Sequence, residues 1–277
     1  MRTMSPGFTA RGRVTCGVMT RAYGLERAGP PGVPWPAGPA EAATILDGMA
    51  TALVIENAPT WHLGRLGDWL ESAGVEPVVL RPHEGASIPE SVGEHEALVA
   101  LGGGRGSPWS GDLAGLLGRA VADATPTLAI CSSARLLAVE FGGAVGPVET
   151  FAPGPRMLAR RDAASDDPLF GTAPMTIDVV AWRHEELTAL PGSALSLAAS
   201  PHGAPDAFRI GPRAWGVQSH MELDGDMVRA LGGDEALVQR VDGIGDYIAD
   251  TWRPVIERFA GLATGRMAGT PLPLLDG

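Results

Sequence analysis

Apolar residues come in short runs along the middle of the chain. T-A-L-V-I-E-N at 51–57, P-V-V-L-R-P at 77–82 and A-L-V-A-L-G-G-G at 97–104 each read as a buried strand, the third running straight into glycine. Leu128 to Cys131 reads as a fourth. Between these runs the period lengthens. Leu63, Leu66, Trp69 and Leu70 repeat at helical spacing, with Gly74 to stop that helix. Leu113, Leu116, Leu117 and Val121 mark a second helix, and Ala134, Leu136, Leu137, Ala138 and Val139 a third. Alternating strand and helix predicts an α/β fold, a mostly parallel central sheet with helices on both faces. In such sheets, sites lie beyond the carboxyl ends of the strands.

Residues 145–213 are less regular. M-T-I-D-V-V-A-W, A-L-S-L-A-A-S and D-A-F-R-I are short strand-like runs between prolines and glycines, and they predict a small antiparallel addition. A-W-G-V-Q-S-H-M-E at 214–222 is one more strand-like run. Beyond it, Tyr247, Ile248, Trp252, Val255, Ile256 and Phe259 fit a buried helix face, which Pro254 must kink or restart. Residues 1–48, rich in Gly, Pro, Ala and Arg, cannot bury enough apolar surface to offset their ordering entropy and read as a flexible extension. The folded domain is then expected over 49–262, with 263–277 as a tail.

Composition narrows the function. A net charge of −11 argues against a nucleic-acid surface. No apolar run approaches the length of a membrane span, and the cytoplasm is the expected compartment. The two cysteines, Cys16 and Cys131, support neither a disulfide framework nor a zinc site, and no histidine spacing suggests a metal; no cofactor is expected. His62, His83, His95 and His202 lie in polar surroundings and read as surface residues.

Cys131 stands between a strand and a helix, with Ala129 and Ser133 two positions to either side. A sharp strand-to-helix turn at a nucleophile needs such small neighbours. A helix N-terminus also favours thiolate. A buried structural cysteine fits this stretch equally well. His220 and Glu222 add a second observation. In an extended chain they point to one side, so Glu222 can accept from one ring nitrogen while the other faces Cys131. That supplies nucleophile, base and orienting group. The N–H of Ser132, just after the nucleophile, is a candidate oxyanion donor.

Together these stretches resemble class I glutamine amidotransferases. That family carries G-x-C-x-G-x-Q at its nucleophile and W-G-x-Q-x-H-P-E at its base, and here Met221 replaces the proline of the second motif. The resemblance covers roughly residues 51–260 and implies a flavodoxin-like sheet. It implies cysteine-dependent hydrolysis or acyl transfer on glutamine or a γ-glutamyl compound, through a thioester, and a separate synthetase or biosynthetic partner unless the domain acts alone. It assigns catalysis to Cys131, His220 and Glu222 and further oxyanion donors to Gly103 or Gly104. The family's loop usually continues with proline, where this chain has Arg105. His184 and Glu186 fall where the family has W-H-x-D beside its substrate pocket, although a solvated loop fits them equally well. The family's glutamine four residues past the cysteine is Arg135 here. Arginine can grip a carboxylate but cannot accept a hydrogen bond. This departure leaves two further expectations: an acyltransferase or isomerase acting on a non-glutamine anion, or a domain that binds without catalysis.

Overall fold

A computed structural model describes residues 49–267. The expected extension over 1–48 and most of the expected tail lie outside the described residues. Five strands form the parallel half of a nine-stranded sheet: β1 (Ala50–Ile55), β2 (Val75–Leu80), β3 (Ala97–Ala100), β4 (Thr127–Ile130) and β11 (Ala214–Val217). The order across the sheet is β2-β1-β3-β4-β11, continued by β10 (Pro205–Ile210), β9 (Ala194–Ala199), β6 (Gly154–Arg160) and β7 (Thr176–Ala181). The fold is therefore α/β as expected, and the antiparallel addition extends the same sheet by four strands. β5 (Ala144–Pro147) and β8 (Glu185–Ala189) form a separate antiparallel pair.

Alternate residues of the parallel strands feed two cores. Ala52, Val54, Val99 and Ile130 pack on one side with α1 (Arg65–Ser72) and α6 (Gly245–Ala263). Leu53, Ile55, Leu98 and Ala129 pack on the other with α2 (Ser110–Ala122) and α3 (Ser132–Glu140). This is the two-faced burial that makes parallel strands read as continuous apolar runs. The helical stretch past Glu222 comprises α4 (Gly225–Ala230), α5 (Glu235–Asp242) and α6. Helix α6 runs on through Pro254 without restarting, its Ile248, Trp252, Val255, Ile256 and Phe259 all buried, whereas Tyr247, expected on that face, is exposed in the first turn.

The antiparallel half curls back on itself. Val180, in the edge strand β7, exchanges both backbone hydrogen bonds with His220, at 2.8 and 2.9 Å. Chain emerging from the middle of the sheet thus meets the sheet's far edge, which leaves neither backbone unpaired there. Trp215, Gly216 and Gln218 hold this arrangement. The Trp215 indole donates to Asp167, and Gln218 accepts from the Leu187 N–H and donates to the Pro205 carbonyl. A Cβ on Gly216 would stand 2.2 Å from the Phe208 ring, so only glycine lets that ring cross. Most of the W-G-V-Q segment is scaffold for the two residues that follow it.

Candidate active site

Cys131 closes β4 and caps α3 with φ 58° and ψ −117°, a backbone conformation that side-chain-bearing residues rarely adopt. Its N–H still pairs with Val217 O at 2.8 Å, so β11 holds the turn from one side. Ala129 and Ser133 are fully buried beside it, where a larger side chain has no room. Ser133 Oγ donates to Leu101 O at 2.6 Å, which ties the elbow to the glycine loop. Asn57, at the end of the first apolar run, braces the same point. It donates to Leu101 O at 2.9 Å and accepts from the Trp109 indole at 3.0 Å.

The loop itself is packed tightly. Gly103 has φ 84°. A Cβ on Gly104 would lie 2.6 Å from Leu113 Cδ2 and 2.9 Å from Asn57 Nδ2. Gly104 N–H donates to Ser132 Oγ at 3.1 Å, so this structure brings together the loop and the residue after the cysteine. Arg105, at the family's proline position, forms an ion pair with Glu185 of β8 across the loop.

His220 is fully buried, and its Nδ1 lies 2.7 Å from Glu222 Oε1. The other carboxylate oxygen accepts from Met221 N–H at 3.0 Å. Proline at 221 could not make that bond, so the departure from the family motif adds a donor that fixes Glu222. Trp61 stacks on the imidazole, with ring centroids 4.6 Å apart, a contact no sequence pattern announced. His220 Nε2 has no well-directed hydrogen bond among the described residues, and its coupling to Cys131 is one of charge and of a looser side-chain contact. Such contacts commonly tighten only around substrate.

The electrostatics follow from this arrangement. Burial alone would raise the Cys131 thiol. The positive charge of His220 and the Arg135 guanidinium outweigh burial and the opposing Glu222 carboxylate, and bring the thiol from 9.0 down to about 7. Burial likewise disfavours the imidazolium, yet the thiolate and Glu222 hold His220 up at about 10. Between these values the pair is thiolate and imidazolium.

The remaining expected site residues separate. Arg135 is buried, with Nη2 3.8 Å from Cys131 Sγ. His184 is exposed and stacks on Phe151, centroids 4.1 Å apart. Trp182, two residues before it, places its carbonyl 3.9 Å from Sγ. Glu186 is half-buried in β8 and lines a cleft of about 820 Å³ together with Arg183, Asp206 and Ser219. Cys131 does not line that cleft, which reaches Ser219, the residue before His220. Of the histidines read as surface residues, His62 and His202 are exposed. His83 and His95 are half-buried instead, because their Nδ1 atoms reach Glu56 O at 3.0 Å and Thr51 Oγ1 at 2.9 Å. Among the described residues no group of three or more His, Cys, Asp or Glu side chains could hold a metal ion, and no helix is long and apolar enough to cross a membrane.

No family model matches the chain. It is 31% identical over 125 residues to a glutamine-hydrolysing GMP synthase from Thermomicrobium roseum. That match takes in 45% of this chain and 23% of the synthase, so the chain spans about a quarter of that relative's length. Among solved structures, a glutamine amidotransferase from Thermotoga maritima superposes with a TM-score of 0.67 at 18% identity, over 76% of this chain and 98% of that one. One from Methylobacillus flagellatus gives 0.65 at 20% identity, over 81% and 98%. Residues 49–267 thus share the fold of these glutamine amidotransferases.

Proposed function

We propose that the chain is a cysteine-dependent amidase or acyltransferase acting on glutamine or a γ-glutamyl amide. The observation that carries this reading is the convergence of Cys131, His220 and Glu222 from separate parts of the chain, with the thiol pushed down and the imidazole pushed up. The thiolate attacks the amide carbonyl, and the carbonyl π pair moves onto oxygen. N–H donors of Ser132 and of Gly103 or Gly104 receive that oxygen, each worth roughly 3 kcal/mol. Gly104 becomes available when the Ser132 side chain rotates away from it. As the tetrahedral centre collapses, the C–N bond breaks and imidazolium His220 gives its proton to the departing amine. Water, deprotonated by the now neutral His220, then attacks the thioester. The acid leaves, the sulfur departs as thiolate, and His220 is protonated again. Glu222 holds the ring in place and balances its charge throughout. Ammonia is the leaving group if glutamine is the substrate. It is then released, or passed to a separate synthetase or biosynthetic partner.

The test is direct. The protein is incubated with glutamine and with a panel of γ-glutamyl amides while glutamate and amine release are followed. A glutamine-derived diazoketone is applied in parallel. Turnover and labelling of Cys131 are expected, with a Cys131→Ala variant slower by at least about 10⁴-fold and unlabelled. No turnover across the panel, together with no labelling, removes the proposal.

A further inference from the structure

Arg135 is not used by the reaction as written. It lies in α3 four residues past the nucleophile and is 5% exposed. Nε and Nη1 are shut from solvent and have no hydrogen-bond partner, and no carboxylate pairs with the guanidinium among the described residues. A guanidinium is a permanent cation. Burying it without an anion is strongly unfavourable, and the positive end of α3 beside it makes matters worse. The nearest atom able to carry negative charge is Cys131 Sγ, 3.8 Å from Nη2.

We propose that Arg135 is the standing counter-ion of the Cys131 thiolate, a second cation beside His220. This rests on Cys131 being the nucleophile of the proposed reaction. When sulfur bonds to the carbonyl carbon, its negative charge moves two bonds away to the oxygen. The guanidinium stays beside the reacting centre and stabilises that charge too. A neutral glutamine at this position could do neither. A carboxylate of the substrate is the competing partner, but Nε and Nη1 are shut from solvent in this structure. The charged groups facing the sulfur are His220 and Arg135, which favour thiolate, and Glu222, which opposes it. The Trp182 carbonyl accepts only from the protonated thiol and also opposes it.

The experiment compares labelling of Cys131 by neutral iodoacetamide and by anionic iodoacetate across pH. It uses the wild type, Arg135→Gln and Arg135→Lys, in the full chain. With Arg135→Gln the iodoacetamide midpoint is expected to rise by about one pH unit or more. Below it, labelling slows several-fold, because lost thiolate outweighs the greater nucleophilicity of a more basic sulfur. Arg135→Lys keeps the charge and is expected to stay within about half a unit of the wild type. An unchanged midpoint in Arg135→Gln overturns the proposal. So does a Lys variant that shifts as far as the Gln variant, or slowing confined to iodoacetate, which would make Arg135 a substrate-anion site. If Arg135→Gln does not fold, Arg135→Met supplies the neutral comparison: a raised midpoint supports the counter-ion role, and an unchanged one overturns it. A wild type that labels normally but turns over no amide defeats the proposed function and leaves the role of Arg135 standing.

Discussion

Strands β3, β4 and β11 are buried along their whole length, whereas β6 exposes nearly half of its residues. The parallel half ends in the glycine loop and the elbow, and its last strand leads directly into His220, the proposed base. The antiparallel half supplies no member of the proposed triad. Its contribution is support, through the Val180–His220 pairing and the Trp182 carbonyl beside the sulfur. Strands packed on both faces cannot shift without disturbing two cores, so groups at their ends are held to a fixed geometry. An alternately exposed strand can change its outward side chains at little cost to folding. The division predicts that damage at the ends of parallel strands reaches the chemistry, while damage on the antiparallel side reaches binding.

The largest effect expected beyond the nucleophile itself is at Glu222. Glu222→Gln keeps the shape but removes the charge and one of the two acceptors, and kcat is expected to fall about 10³- to 10⁴-fold. The pH profile should change with a definite sign. Glu222 raises both His220 and Cys131. Without it, the alkaline limb of kcat/KM moves down from about 10, and the acid limb also moves down from about 7. An alkaline limb that stays in place would mean that the 2.7 Å contact is not what holds the imidazolium.

Gly104→Ala tests the packing beneath the loop. The new methyl group would press on Leu113 and Asn57, and something must move. Overpacking of this kind costs about 1–3 kcal/mol of stability. Displacing the proposed oxyanion donors should lower kcat about 10²-fold. Thermal melting and steady-state kinetics check the two parts separately. A stable variant with full activity would show that the loop tolerates movement and that the rigidity ascribed to the parallel half is overstated.

The two halves also differ in how far the chain itself announces them. T-A-L-V-I and A-L-V-A are apolar throughout because both faces are covered, and that alone marks them as strands. The elbow is readable because crowding there demands small neighbours, and Glu222 because alternate residues of an extended chain share a side. In contrast, G-P-R-M-L-A-R gives no such signal for β6, where Met157 is 59% exposed. E-E-L-T-A, now β8, has one buried residue, Leu187, and read equally well as a loop. Both form because partners distant in the chain offer hydrogen bonds, and no local pattern records that. Asn57 and Trp61 were missed for the same reason. Each acts on residues more than forty positions away, across a loop or against a ring. Arg135 was visible as a departure from the family, but its role depends on a sulfur distance that only the folded chain provides.

The smallest effect separates the halves most cleanly. His184 sits where the resemblance places a substrate contact, yet it is exposed and touches Phe151 rather than any triad member. If it meets substrate, it does so equally in ground and transition states. Loss of such uniform binding raises KM and leaves kcat alone. His184→Ala is therefore expected to raise KM no more than about fivefold, roughly 1 kcal/mol, with kcat unchanged. Removing one face of an exposed stack should cost about 0.5 kcal/mol of stability, close to the limit of a melting measurement. A kcat loss of 10²-fold or more would break the division, because it would place a group from the antiparallel side in contact with the reacting atoms. An unchanged KM would sharpen it instead, confining recognition as well as chemistry to the ends of the parallel strands.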